Sequence, residues 1–274
     1  LKLSDIVVDI KKKRVSMHNT LPFIVPELSS MKRYPEELYY RGNVELLHRP
    51  KISIVGTRRP NPYTRAMTLE LSRKLSHSGI VIISGAAAGV DAIAHHGAGA
   101  ENTVAILPSG IDIRYPAANA KLIEAIENQG LTLTPFEPGF GAREWSFVVR
   151  NEIVVALGDA LIVTEADIGS GSMRSVEYAL EMEKPIYVLP HRLHESAATR
   201  LLLREGKASA IDDIDSFVAH ISQKGKNRCE DTPFIAFCRN NPTYEEVMGH
   251  FPSEIFEAEL SGIIEVRNGR VAVV

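Results

Sequence analysis

The stretches Ile52-Ser-Ile-Val55-Gly56-Thr57-Arg58-Arg59-Pro60 and Ile80-Val-Ile-Ile83-Ser84-Gly85-Ala86-Ala87-Ala88-Gly89-Val90-Asp91 share one design: a short apolar, β-branched run that ends in a small-residue turn. Runs of this kind suit strands buried on both faces of a parallel sheet. The same signal recurs at Thr103–Leu107, Leu131–Thr134, Ala160–Val163 and Pro185–Leu189. Helical patterns lie between the runs, at Thr64–His77, Ala118–Asn128, Phe147–Leu157 and Ser172–Met182. This alternation predicts an α/β fold with a doubly wound parallel sheet, whose ligand site is built by the loops at the carboxyl ends of the strands.

Working outward, residues 1–45 read as a basic, irregular lead-in, 46–222 as the α/β domain and 223–231 as a polar linker. Residues 232–274 show three helical segments and two short strands joined by Asn268-Gly269, a strong hairpin signal, and so predict a small winged-helix-like domain. The would-be recognition helix of that module carries Glu254, Glu257 and Glu259 and no Lys or Arg. Reading a duplex groove needs cations for phosphates and base edges, so this module is expected to pack on a protein surface or stay tethered.

The chain has 274 residues, 45% hydrophobic and 24% charged, which suits a soluble globular protein and excludes collagen-like, coiled-coil and wholly disordered classes. Its 31 Lys and Arg against 34 Asp and Glu give a formal charge of −3, so any nucleic-acid site must be a local concentration of cations. Two cysteines, Cys229 and Cys238, are too few for a disulfide framework and read as reduced thiols. No apolar run approaches the roughly 20 residues that span a bilayer. The opening LKLSDIVVDIKKKRVSMHNT has the wrong order of apolar and basic segments for a secretory signal. A cytoplasmic location without membrane insertion is therefore expected.

Three small-residue loops are placed to converge on one sheet edge. Gly56-Thr57-Arg58-Arg59 offers a close backbone approach and bidentate phosphate donors. Ser84-Gly85 through Gly89 suits a loop that hugs a ligand, with Asp91 placed to cap the following helix. Gly169-Ser170-Gly171-Ser172 sits at another helix start, where anions are favoured. A fourth segment, Arg143-Glu-Trp145-Ser-Phe147-Val-Val-Arg150-Asn151, interleaves arginines with aromatics, as unpaired bases and their phosphates require. The adjacent His95 and His96 cannot share a helix face as metal ligands would, so they read as structural. Neither a dinucleotide fingerprint nor a phosphate-binding loop of NTPase type is present, so no cofactor, metal or catalytic residue is expected.

Tyr39-Tyr40-Arg41-Gly42, Ile54-Val55-Gly56-Thr57-Arg58, Ser84-Gly85 with Gly89-Val90-Asp91-Ala92-Ile93-Ala94-His95, Tyr115-Pro116 with Asn119, Phe147 with Arg150-Asn151, and Ser170-Gly171-Ser172 together resemble the DNA-processing protein A family (DprA, also called Smf). The resemblance implies an extended Rossmann-like fold that binds single-stranded DNA, usually as a homodimer. It also implies protection of incoming DNA in natural transformation and loading of the RecA recombinase. By that likeness Arg58 would hold a phosphate with backbone help from Gly56 and Thr57, while Gly85, Gly89, Gly171 and Ser172 complete the pocket. Phe147 would stack on or wedge a base, with Arg143 supplying charge. The sequence departs from the family pattern in its short N-terminal segment, where no preceding helical domain is expected, and in the acids Glu144 and Glu152. A competing reading is a nucleoside-monophosphate phosphoribohydrolase of the Lonely Guy or lysine-decarboxylase-like type. Arg58 and Glu177 would then be the working pair, although the proline of that family's loop is missing before Gly169.

Overall fold

The apolar runs of the sequence become adjacent strands of one sheet. The structure is a computed structural model that describes residues 19–229, 233–238, 240–260, 264–267 and 269–273, and it divides into two units that part after Ala219. The strands of the first unit are β1 (Asn19–Thr20), β2 (Tyr39–Gly42), β3 (Lys51–Val55), β4 (Val81–Ser84), β5 (Thr103–Ile106), β6 (Leu131–Thr134), β7 (Leu161–Val163), β8 (Ile186–Val188) and β9 (Ser209–Ala210). Their spatial order is β1-β2-β6-β5-β4-β3-β7-β8-β9. From β6 to β9 all neighbours are parallel, whereas β1 and β2 are antiparallel additions at one edge. The described helices are α1 (Pro62–His77), α2 (Val90–Ala98), α3 (Ala120–Gln129), α4 (Glu144–Leu157), α5 (Gly171–Glu181) and α6 (Ala197–Arg204), with α7 (Ile214–Cys229) running across the unit boundary.

Every residue of β3, β4, β5 and β6 is buried, and most of these positions are apolar, with Lys51, Ser53, Ser84, Thr103, Thr132 and Thr134 as the buried polar exceptions. The chain runs from β3 through β4 and β5 to β6 on one side, then returns past β3 to β7 and β8. The strand order thus reverses between β3 and β7, and the loops after β3, β4 and β7 meet at the carboxyl edge where such sheets bind ligands. The fold is the α/β, Rossmann-like arrangement expected.

Residues 19–45 differ from the irregular lead-in anticipated, while residues 1–18 lie outside the described residues. β2 pairs with β6 along Tyr39–Gly42, and Val25, Leu28, Met31 and Leu38 join the core. A four-residue strand with only its first position fully buried shows no periodicity to read. Lys51, itself buried, fastens this segment: its Nζ donates to Glu27 Oε1 (2.6 Å) and to the carbonyls of Leu47 (2.6 Å) and Arg49 (3.1 Å).

In the second unit, α8 (Pro233–Cys238), α9 (Tyr244–His250) and α10 (Glu254–Leu260) precede the antiparallel pair β10 (Ile264–Arg267) and β11 (Arg270–Val273). Its core is Phe234, Ile235, Cys238, Val247, Ile255, Ala258, Ile264 and Val271. Helix α9 starts on a reciprocal cap: the Thr243 N–H donates to Glu246 Oε2 (2.8 Å) and the Glu246 N–H to Thr243 Oγ1 (3.3 Å). The expected linker over 223–231 is helical as far as Cys229, because its Gln, Lys and Arg are good helix formers. Its last two residues, and Asn268 of the expected hairpin turn, lie outside the described residues. Cys238 is a free, buried thiol that burial pushes above its ordinary pKa. Among the described residues no helix is long and apolar enough to cross a membrane.

His95 on α2 is fully buried. The Thr103 hydroxyl donates to the Ile82 carbonyl (2.8 Å), which leaves its oxygen to accept from His95 Nδ1–H (2.5 Å). Burial, with His96 and Arg150 adding to it, pushes the imidazole down to about 3. The unfolded chain therefore binds a proton below its ordinary value near 6.5 that the folded chain refuses. Stability should fall as pH drops from about 6.5 toward 3, by up to ~1.4 kcal/mol per pH unit from this group. Urea titrations between pH 7 and 4 should show a shallower decline for His95→Gln, and parallel slopes would refute a neutral, buried ring. Separately, Lys51→Met should cost about 2–3 kcal/mol in the same assay by orphaning two carbonyls and Glu27; wild-type stability would contradict that role.

Candidate functional site

The turn after β3 packs directly on the start of α2. Gly89 has φ +84°, and a Cβ there would overlap the Thr57 carbonyl and the backbone of Arg58. The Val90 N–H donates to that same carbonyl (3.1 Å). The Thr57 N–H donates to the Glu165 carbonyl (2.8 Å), and the Asn61 N–H to Glu165 Oε2 (3.0 Å). The expected backbone help from Thr57 is thus committed inside the protein, since its N–H already joins the β3 and β7 loops. Gly56 is a close-packing position against Val90 and the Glu165 carbonyl. What the turn presents to solvent are the exposed side chains of Arg58 and Arg59.

Beneath that turn lies a buried ion pair. Arg150 on α4 is 4% exposed and Asp91 on α2 is 7% exposed, with Nη1 and Oδ2 3.8 Å apart. Arg150 Nη1 also donates to the Gly85 carbonyl, and Asp91 Oδ2 accepts the N–H groups of Gly85 (3.2 Å) and Ala87 (3.3 Å). Asp91 is therefore no helix cap: it sits inside α2 and gathers the loop after β4 onto Arg150. Burial disfavours the charge on both groups and their mutual attraction opposes it. Gly85 leaves no room for a side chain, because a Cβ would overlap the Arg150 guanidinium. Ser84 is equally internal, its hydroxyl donating to the Ile54 carbonyl (2.7 Å).

Above the ion pair is a small cavity of about 70 Å³ lined by Arg58, Gly85, Ala87, Ala88, Pro108, Tyr115, Pro116, Phe147 and Arg150. The Phe147 ring, half-buried, lies 5.6 Å from the Arg58 guanidinium carbon and 5.8 Å from that of Arg150. Tyr115 meets Phe147 edge-on at 5.7 Å. Asn119 Nδ2 donates to the Ala86 carbonyl (2.9 Å) and so holds the Tyr115-Pro116 loop against the β4 loop. Small residues make the floor, and an arginine with two aromatic rings makes the rim. That chemistry suits a phosphate beside a stacked ring.

Four of the residues singled out by sequence, Arg58, Gly85, Phe147 and Arg150, thus meet in one place, although Arg150 works from below. Asn151 reaches the Gly171 carbonyl (3.5 Å) at the start of α5, so Asn151, Gly171 and Ser172 form a neighbouring group outside the cavity lining. Arg143 stands apart, exposed, with its guanidinium carbon 5.7 Å from the Phe140 ring centroid. Sequence reasoning left Ala87, Ala88, Pro108, Tyr115 and Pro116 out of the site, although Tyr115-Pro116 was a visible motif. Glu177 pairs with Arg174 (2.7 Å) and does not line this cavity. A larger cavity of about 570 Å³, lined by residues including Tyr63, His191 and Glu195, contains none of the residues anticipated from sequence.

Comparison with known proteins places this geometry. Residues 17–222 match the model of the DNA recombination-mediator protein A family. Protein Smf of a Synechocystis species is 37% identical over 165 residues, which cover 57% of this chain and 41% of that protein. DNA processing protein DprA of Streptococcus pneumoniae is 33% identical over 184 residues, 66% of this chain and 65% of that one. The chain thus spans about half the length of these curated relatives. Among solved structures, DNA processing protein A of Helicobacter pylori, described for its single-stranded DNA binding mode, aligns with a TM-score of 0.75. It is 40% identical, over 76% of this chain and 97% of that one. The S. pneumoniae DprA structure aligns with a TM-score of 0.70 at 29% identity, over 78% of this chain and 77% of that one. With three quarters of its length matched by the family model, the chain belongs to the DNA recombination-mediator protein A family.

Proposed function

We propose that this protein binds single-stranded DNA at the carboxyl edge of its sheet and catalyses no reaction there. The observation that carries the reading is the Phe147 ring at the small cavity, with the guanidinium carbons of exposed Arg58 and buried Arg150 at 5.6 and 5.8 Å from its centroid. A π-face flanked by cations takes an unpaired base and its phosphate without regard to sequence. The single-stranded DNA binding mode described for the H. pylori protein supports the same ligand here. Within this reading Arg58 contacts phosphate, Phe147 stacks, and Arg150 with Asp91 positions both. Asn151, Gly171 and Ser172 form a flanking anion-binding turn, and Arg143 adds charge along the strand. Protection of incoming DNA during natural transformation, loading of RecA, a homodimer and a cytoplasmic site of action complete the proposal, and they rest on family membership. The second unit is proposed as a winged-helix-like module that contacts protein and not duplex DNA, given its three basic against six acidic residues from Thr232 onward.

The phosphoribohydrolase reading gains no support from Glu177, which lies on the exposed face of α5 in an ion pair with Arg174. Titrating fluorescein-labelled oligo(dT) into the protein at several salt concentrations tests the binding reading. Arg58→Ala should weaken binding by about 1.5–3 kcal/mol and lower the salt slope by roughly 0.7. Phe147→Ala should cost about 1–3 kcal/mol with the salt slope kept. Unchanged affinity in Arg58→Ala would refute the site. Release of free base from AMP, lost in Glu177→Ala, would reinstate the enzyme.

A further inference from the structure

The only tryptophan of the chain, Trp145, is 51% exposed on the first turn of α4. A ring that large is ordinarily buried for most of its surface. Here it is supported from one side only. Trp145 meets Phe136 at 5.5 Å and Phe140 at 5.4 Å, both edge-on, and those two rings stack on each other at 4.7 Å. Phe136 is buried and Phe140 half-buried, so the three rings grade from core to solvent with Trp145 outermost.

The support is rigid. The Gly110 N–H donates to the Phe140 carbonyl (2.8 Å), and the Gly139 N–H to Asp112 Oδ1 (2.8 Å). The Arg143 N–H donates to Ser146 Oγ (2.9 Å), whose hydroxyl returns to the Arg143 carbonyl (2.7 Å), fixing the helix start on which Trp145 stands. Arg143, exposed, leans over Phe140, the ring that Trp145 also meets. The nearby acids, Glu137 and Glu144, are exposed as well.

We propose that Trp145 is a second nucleobase-stacking platform, which takes another unpaired base of the strand that Phe147 engages. This inference rests on the single-stranded DNA reading above and extends it to a residue outside that site. Trp145 and Phe147 are two residues apart on one helix, about 3 Å along its axis, and they face different sides of its first turns. On this reading the strand passes from the Phe147 rim around the start of α4 to the indole, and Arg143, which precedes that helix, takes a phosphate. An exposed π-face on a fixed support with a cation beside it is the arrangement that single-strand binders use, because every base offers a stacking face.

Because Trp145 is the only tryptophan, its emission reports on this platform directly. Oligo(dT) should quench the intrinsic fluorescence of the full chain and shield the indole from acrylamide, in step with the anisotropy rise of a labelled strand. Trp145→Leu should weaken binding roughly tenfold, within the range for one stacked base, while Trp145→Phe keeps affinity within about twofold. Thermal melts of both variants should match the wild type, since the ring is already half in water. If the strand binds by anisotropy but emission and acrylamide access stay unchanged, or if Leu and Phe variants bind alike, the platform is refuted and the Phe147 site stands. If no strand binds at all, both the platform and the DNA reading fall.

Discussion

Arg150 is a guanidinium taken almost wholly out of water, and the arrangement of the site depends on how its charge is met. Asp91 supplies the opposite charge, the Gly85 carbonyl accepts a further hydrogen bond, and the Ile106 carbonyl lies at 3.5 Å. Those partners belong to α2, to the loop after β4 and to the end of β5, so one side chain from α4 ties three parts of the carboxyl edge together. Removing either member would leave the other buried and unpaired, which costs several kcal/mol. The pair also accounts for the absence of a side chain at Gly85 and for Asp91 facing inward from its helix. Arg58 and Phe147 are presented above this floor, so their separation is set by the buried pair beneath them.

The same constraint explains which parts of the site were legible in the sequence. Glycine turns at the ends of apolar runs mark the carboxyl edge with little ambiguity, because a side chain at Gly89 would meet the Thr57–Arg58 backbone and one at Gly56 would meet Val90 and the Glu165 carbonyl. Arg58, Phe147 and Arg150 stood out as cations beside aromatics, but composition cannot say which cation is buried. Arg150 and Arg58 look alike in sequence, yet one is 4% exposed and the other lies open to solvent. The difference is decided by Asp91, nearly sixty residues away, and a pairing over that distance leaves no periodic trace.

The fold shows the same division. Strands β3 to β8 were legible because burial on both faces demands apolar residues at almost every position. The antiparallel strand β2 was not, since Tyr39-Tyr40-Arg41-Gly42 is four residues long, has only Tyr39 fully buried and ends in a glycine. Helix α6 was missed for a related reason: it is eight residues long and begins from Ser196, whose φ of +45° belongs to no helix-start pattern. In each case the deciding contact is tertiary. β2 is held by its ladder to β6, and α6 by Ala198 and Leu202 in the core.

A formal charge of −3 is no obstacle to gripping a polyanion when the charges are spatially sorted. At physiological salt, exposed charges separated by more than about 8 Å are largely screened from one another, so a strand senses the groups it touches and little of the total. The three basic and six acidic residues from Thr232 onward account for the whole net charge, which leaves the rest of the chain balanced. Within that balanced remainder, acids such as Glu127, Glu177 and Glu181 are engaged with Arg114, Arg174 and Lys32. The charged side chains that line the cavity beside Phe147 are Arg58 and Arg150. Under the proposed single-stranded DNA reading, such an interface would draw on few phosphate contacts, and stacking would have to supply much of its grip. Rings held at the surface would then be as necessary to it as cations.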